Sequence, residues 1–314
     1  MNNISISVIV PCFNEAEVIR ESYRRLKKVK DGSGFSFFEV IFINDGSKDR
    51  TLEILKEIAE QDQEVKVISF SRNFGHQTAV SAGINYCSGE AAVIIDADLQ
   101  DPPELIPDLI TLWKQEQCDV VYGVRKERKG ETIFKKLTAK LFYRTINFLS
   151  EVPIPLDTGD FRLINQNVIR EFKRLKERNK YIRGLISWIG FKQIPFYYTR
   201  DPRLAGETKY PLSKMIKFAA TGLTYFTKKP LKLATTLGFI SIIISLSMAV
   251  YVFVEKFVIN STVPGWASTV LAILFLGGVQ LLTLGVIGEY LGNIFDEIKQ
   301  RPEYIVAETI NFEE

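Results

Sequence analysis

Asp96 and Asp98 are separated by one small residue, Ala97, and Gln100 follows two positions later. In a locally extended stretch, side chains two apart point to the same side. Two carboxylates placed that way make a strongly negative spot. A hard divalent cation, Mg²⁺ or Mn²⁺, relieves the repulsion with few protein oxygens and keeps coordination positions open for phosphates. Gln100 adds a neutral oxygen. The chain has one histidine, His76, and three scattered cysteines, Cys12, Cys87 and Cys118, so a zinc or iron–sulfur site needing several His or Cys ligands is excluded within one chain. Neither G-x-x-x-x-G-K-[ST] nor a G-x-G-x-x-G after the first strand occurs, which disfavours P-loop NTPases and dinucleotide oxidoreductases.

These acids need a frame. Ile4–Val10, Phe38–Ile43, Val65–Phe70, Ala91–Ile95 and Val120–Val124 are short apolar runs, rich in β-branched residues, that predict strands. Helical spacing predicts helices over 16–29, 51–60, 77–86 and 105–114. The alternation implies an α/β fold with a mainly parallel sheet covered on both faces. Such sheets bind ligands beyond the carboxyl ends of their strands. The polar clusters fall there: Pro11-Cys12-Phe13-Asn14-Glu15 after the first strand, Asn44-Asp45-Gly46-Ser47 after the second, and Asp96 to Gln100 after the fourth. Helix capping explains Asp49 before Thr51, but three clusters at one sheet edge point to a site. His76, a lone histidine, is read as structural, and Trp188 as core packing.

Net charge is +3, from 40 Lys+Arg against 37 Asp+Glu, without the basic excess of a nucleic-acid binder. With 46% hydrophobic and 25% charged residues the composition is globular. That average hides a split: Leu233–Val254 and Trp266–Gly288 carry no charge at all. At roughly 1.5 Å per helical residue each run reaches about 33–35 Å, enough for the ~30 Å hydrocarbon layer. Lys209, Lys214, Lys217, Lys228, Lys229 and Lys232 precede the first run, and Lys256 is the one lysine between the two. The positive-inside rule then places both ends of the hairpin, and the N-terminal portion, on the cytoplasmic side. No secretory leader is visible and the cysteines suit a reducing compartment, so a cytoplasmic catalytic portion on the plasma membrane is expected.

Four ordered segments, PCFNEAE (11–17), NDGSKDRT (44–51), DADLQDPPE (96–104) and LDTGDFRL (156–163), resemble the family-two glycosyltransferases of the GT-A fold. Within them the chain is similar to the polyprenyl-phosphate branch, the dolichol-phosphate mannose synthases and bactoprenol glucosyltransferases, and its two-helix tail to the glucosyltransferase subgroup. The resemblance implies that Pro11, Phe13 and Glu15 hold the uracil and ribose region, that Asp45 contacts the base, and that Asp96 and Asp98, with Gln100 beside them, bind Mg²⁺ or Mn²⁺. It implies a catalytic-region acid at Asp157 and a cation near phosphate at Arg125. Arg203 and Lys209, in Arg-x-x-Gly-x-Thr-Lys, match a phosphate-binding loop. The activity implied is transfer of glucose from UDP-glucose to undecaprenyl phosphate. Transfer of mannose or another sugar, and a non-catalytic nucleotide-sugar-binding scaffold, are the alternatives. The Gln-x-x-Arg-Trp motif of processive polysaccharide synthases is missing.

The expected organisation is a GT-A domain over 1–210, a juxtamembrane amphipathic segment over 211–230, two membrane helices over 231–290 and a cytoplasmic tail over 291–314. Basic amphipathic helices over 133–144 and 212–223 are candidates for the headgroup layer. The tail from Tyr304 to Phe312 alternates and predicts an edge strand pairing with another subunit, one route to a homo-oligomer.

Overall fold

The computed structural model describes residues 4–125, 158–178, 180–200, 229–258 and 265–312. In chain order these form β1 (Ser5–Cys12), α1 (Ile19–Ser33), β2 (Phe37–Asn44), α2 (Thr51–Gln61), β3 (Val65–Phe70), α3 (His76–Tyr86), β4 (Ala91–Ile94), a short 3₁₀ turn (Pro103–Leu105), α4 (Ile106–Glu116) and β5 (Val120–Arg125). They continue with β6 (Thr158–Asn165), α5 (Gln166–Arg174), α6 (Ile182–Ile189), β7 (Gln193–Tyr198), α7 (Lys229–Phe257), α8 (Trp266–Ile298) and β8 (Val306–Ile310). Residues 301–312 belong to the same compact unit as 4–200, and 229–300 belong to a second.

The first unit is an α/β sheet of eight strands among the described residues, in the order β7-β5-β6-β4-β1-β2-β3-β8. β4, β1, β2 and β3 run parallel, as do β5 and β7. The expected parallel sheet is therefore present, with two exceptions. β6 lies antiparallel between β4 and β5, and β8 lies antiparallel to β3. The central strands are apolar throughout because both faces are covered. Ile6, Val8 and Val10 of β1 join Leu26, Leu55 and Leu109 of α1, α2 and α4 in one core. On the other face Ile9 and Ile43 meet α3, where Gly83 allows the close approach: a Cβ there would overlap Ile9 Cγ2 and stand 3.0 Å from Ile43 Cδ1.

The tail strand is an edge strand as expected, and on its inner side it pairs within its own chain. Val67 pairs with Ile310, Ile68 with Thr309 and Ser69 with Glu308 of the same chain. The side-chain amide of Asn311 then donates to the carbonyls of Ala59 and Val65, both at 2.8 Å. A strand edge left bare would invite foreign pairing, and β8 covers it.

In the second unit, Leu231–Phe257 and Ser268–Ile298 are long and apolar enough to cross a membrane, with a hydropathy of 2.4 each and none of either stretch's most apolar window buried. Helices of a protein core would be shielded, and these are not. The residues fit a lipid environment, in which a helix satisfies its backbone internally and turns apolar side chains outward.

The packing of α3 gives a direct test. Gly83→Ala should lower the stability of the full chain by about 1–3 kcal/mol through overpacking, read as a drop in melting temperature. An unchanged midpoint would contradict the contact with Ile9.

Candidate active site

Because β1, β2 and β4 are parallel, their carboxyl ends and the loops that follow share one sheet edge. The loop after β1 is tied to the loop after β2 by polar bonds. Asn14 N donates to Ser47 Oγ at 3.0 Å, Lys48 N donates to Asn14 Oδ1 at 2.8 Å, and Glu15 N donates to Thr51 Oγ1 at 2.9 Å. Asp49 accepts from Thr51 N at 3.0 Å, as capping predicts, and also from Ala16 N at 3.1 Å. Pro11 is buried in β1, while Phe13 and Glu15 are half-buried on this braced loop. Asp45 is 2% exposed and accepts from the Asn73 side chain at 2.9 Å, Phe74 N at 2.6 Å and Gly75 N at 3.0 Å. Its oxygens therefore organise the loop after β3 in this structure.

After β4 the chain alternates as expected. Ala97 and Leu99 are each 2% exposed in the core, whereas Asp96, Asp98 and Gln100 are half-buried. Leu99 takes a positive φ of 58°, which keeps the turn tight, and Gln100 N donates to Asp98 Oδ1 at 3.1 Å. Asp96 is the strained acid. Its Oδ1 is buried with no hydrogen-bond partner among the described residues and lies 3.5 Å from His76 Nε2. Burial and the neighbouring Asp160, Asp101 and Asp98 push its pKa up to about 6, against the pull of His76.

His76, read from the sequence as structural, bridges two of these acids. Its Nε2 lies 3.1 Å from Asp160 Oδ2. Burial opposes its charge, but Asp160 and Asp96 push its pKa up to about 9. Asp160 also accepts from Gln77 Nε2 at 3.1 Å and Arg183 Nε at 2.9 Å. Burial alone would raise the Asp160 pKa, yet Arg183, His76 and Arg162 outweigh it and hold the carboxyl far below its ordinary range. Arg183 Nη1 also donates to Thr158 O at 2.6 Å, which fixes the start of β6.

A second acid, Asp101, is fully buried. The Tyr198 hydroxyl donates to it and Arg200 Nε stands 3.3 Å away. Arg125, at the end of β5, influences the Tyr198 hydroxyl and lies over Gly159, where a Cβ would sit 2.7 Å from its guanidinium. The structure therefore brings together Asp96, Asp98 and Gln100 with the unforeseen His76, Asp160, Arg183 and Asp101. Asp157, Arg203, Lys209 and the segments 133–144 and 212–223 lie outside the described residues. Trp188 is 59% exposed on α6, which corrects its assignment to the core. Asp160 lies within the quoted LDTGDFRL segment, and its signal was the pair Asp160 and Arg162, opposite charges two apart on an otherwise apolar strand.

Among the described residues no three His, Cys, Asp or Glu side chains make a complete metal cage. A partial set does fit. Asp96 and Asp98 are adjacent hard oxygen donors, Asp96 keeps an orphaned buried oxygen, and the crowd of acids leaves it short of positive charge. Such a set suits a divalent cation that completes its coordination from a substrate's phosphates.

Residues 7–172 match the family described as glycosyl transferase family 2, and 229–294 match the GtrB C-terminal hairpin. The chain belongs to glycosyltransferase family 2 and is a glycosyltransferase with an α/β domain of the GT-A type. It is 52% identical over 314 residues to the glycosyltransferase YkcC of Bacillus subtilis (strain 168), covering 99% of this chain and 96% of that one. It is 44% identical over 305 residues to the glycosyltransferase sll0501 of Synechocystis sp. (strain ATCC 27184 / PCC 6803 / Kazusa), covering 97% and 95%. It is 39% identical over 306 residues to the bactoprenol glucosyl transferase of Shigella phage SfII, covering 98% of each.

The charged bridge at His76 predicts a pH signature in the chelator-treated protein. A histidine whose folded pKa is raised stabilises the fold fully below its unfolded value, ~6.5, and loses that contribution as pH rises through about 9. His76→Gln should flatten the fall in melting temperature across that window. An identical slope in the variant would mean that His76 carries no charge between Asp96 and Asp160.

Proposed function

We propose that the chain transfers glucose from UDP-glucose to undecaprenyl phosphate at the cytoplasmic face of the plasma membrane, with inversion and with Mg²⁺ or Mn²⁺ as cofactor. The observation that carries this reading is the undercompensated Asp96 beside Asp98, at the carboxyl edge of a sheet whose chain also holds a GtrB-type hairpin. The bactoprenol glucosyl transferases of three Shigella phages, SfII, SfV and SfX, match at 39–40% identity, which supports a polyprenyl phosphate as acceptor and glucose as the sugar.

Asp96, Asp98 and Gln100 would hold the cation, which supplies positive charge against the departing diphosphate. Pro11, Phe13 and Glu15, on the braced loop after β1, would seat the nucleoside. The acceptor needs little activation, because a phosphate monoester with a second pKa near ~6 is largely ionised at neutral pH. A phosphate oxygen of the lipid forms the new bond to the anomeric carbon, and the bond to the diphosphate breaks with its electron pair leaving on UDP. Attack opposite the leaving group turns an α-linked donor into a β-linked product. The obstacle is bringing two anions together, a repulsion of several kcal/mol at a few ångströms and an effective dielectric of ~20. Arg125, Arg203 and Lys209 are assigned to screen it. Asp157 is assigned to orient a hydroxyl or the acceptor rather than to remove a proton.

The hairpin follows from the acceptor. Extracting a polyprenyl chain from the bilayer costs ~0.8 kcal/mol per CH₂, so the reaction has to come to the lipid.

Membranes holding the full chain, given labelled UDP-glucose, undecaprenyl phosphate and Mg²⁺, should yield labelled lipid. Asp98→Ala should cut that yield by roughly a hundredfold or more while the protein stays membrane-bound, in the range seen for loss of an electrostatic stabiliser. Label taken from GDP-mannose instead would replace the sugar assignment. Donor binding without lipid product would favour the scaffold.

A further inference from the structure

Residues 301–312 lie beyond both family matches, which end at 172 and 294. Their first acid, Glu303, does not face solvent. Its Oε2 accepts from Ser81 Oγ at 3.0 Å and from Lys180 Nζ at 3.1 Å, and Lys180 Nζ is itself 3.4 Å from Ser81 Oγ. The side chains of Lys180 and Glu303 are 6% and 12% exposed, and Ser81 is fully buried. Ion pairs this enclosed are costly to break from one side.

The two partners belong to the two elements that grip Asp160. Ser81 sits on α3, whose first residues, His76 and Gln77, contact the Asp160 carboxylate. Lys180 lies two residues before Ile182, where α6 begins, and Arg183 of α6 binds the same carboxylate from the other side. Gln77 Oε1 accepts from Ile182 N at 3.0 Å, a first link between these elements. Glu303 makes the second. The tail is itself held at this point: Tyr304 stacks on Phe70 with ring centroids 4.9 Å apart, and Ser71 N donates to Ile305 O at 3.0 Å.

We infer that Glu303 is a positioning residue for glycosyl transfer: by clamping Ser81 of α3 to Lys180 ahead of α6, the C-terminal tail holds His76, Gln77 and Arg183 around Asp160, next to Asp96. The effect on turnover rests on the transfer reading above; the clamp itself is also measurable without turnover.

The experiment uses the full chain in lipid nanodiscs. Glu303→Ala should lower kcat for labelled UDP-glucose and undecaprenyl phosphate on the order of tenfold to a hundredfold, with the donor KM held within about twofold, because small misplacements near reacting groups cost this much. The exchange Lys180→Glu with Glu303→Lys should restore kcat to within about threefold. Asn311→Ala loosens the far end of the same strand without touching Glu303; it should lower the melting temperature yet leave kcat unchanged. Amide hydrogen exchange over 182–186 should quicken in Glu303→Ala and not in Asn311→Ala, whether or not this donor is the true one. A wild-type chain that fails to use UDP-glucose, together with that exchange pattern in the two variants, would sink the donor assignment and sustain the clamp. Unchanged exchange over 182–186 in Glu303→Ala, wild-type kcat in that variant, or an equal kcat loss in Asn311→Ala would each overturn the clamp.

Discussion

Four carboxylates gathered near one sheet edge set the terms for everything around them. Asp160 is answered by Arg183 and His76, and Asp101 by Arg200 and the Tyr198 hydroxyl. Asp96 has His76 at a longer distance and a buried oxygen without a hydrogen bond among the described residues. A buried acid short of positive charge drifts toward its neutral form, and the Asp96 pKa rises to about 6 accordingly. The protein thus compensates the acids that build the frame and leaves a deficit at the one that faces the open edge. In the transfer reading proposed above, a cation carried in with a diphosphate would offset that deficit.

The frame explains why the deficit can persist without collapse. Asp45, to which the family resemblance gives a base contact, and Asp49, read as a cap, accept from backbone donors of Phe74, Gly75, Thr51 and Ala16. They convert three loops into one braced rim. Phe13 and Glu15 are thereby carried on a braced loop, which would lower the ordering cost of the nucleoside contact proposed for it. The same residue type serves two purposes along this edge, and what separates them is whether a backbone N–H lies within reach.

This division marks the limit of what the sequence discloses. The strands were legible because β1 to β4 are short apolar runs buried on both faces, and Val65–Phe70 is bounded in the structure as its composition suggests. The alternation at 96–100 was legible because Ala97 and Leu99 have core side chains where their neighbours are polar. β6 and β7 were not, since Asp160, Arg162 and Pro195 break the apolar pattern that would announce a strand. Arg162 is 3% exposed and its pKa falls to about 10, a burial tolerated because Asp160 lies on the same strand. Arg183 and Lys180 became visible as partners only in three dimensions, since Arg183 lies 23 residues from Asp160 and Lys180 lies far from Glu303 in the chain. Trp188 misled because its large apolar side chain is ordinarily buried, whereas here it stands open on α6.

The path of the chain constrains its relation to the bilayer independently of charge counting. β1 to β7 precede the two apolar helices and β8 follows them, yet β8 hydrogen-bonds to β3 in one sheet. A hydrogen-bonded sheet of this kind cannot straddle a hydrocarbon layer, because its polar backbone and charged edge would lie unsatisfied in lipid. If 229–300 crosses a bilayer, its two ends would have to emerge on the same side, which requires an even number of crossings. The proposed two-span hairpin meets that condition, and a single span does not. The lysines at 214, 217, 228, 229 and 232 are the feature from which the proposed cytoplasmic side is read. Under the proposed topology, the pairing of β8 with β3 thus constrains the parity of the crossings independently of the basic flank.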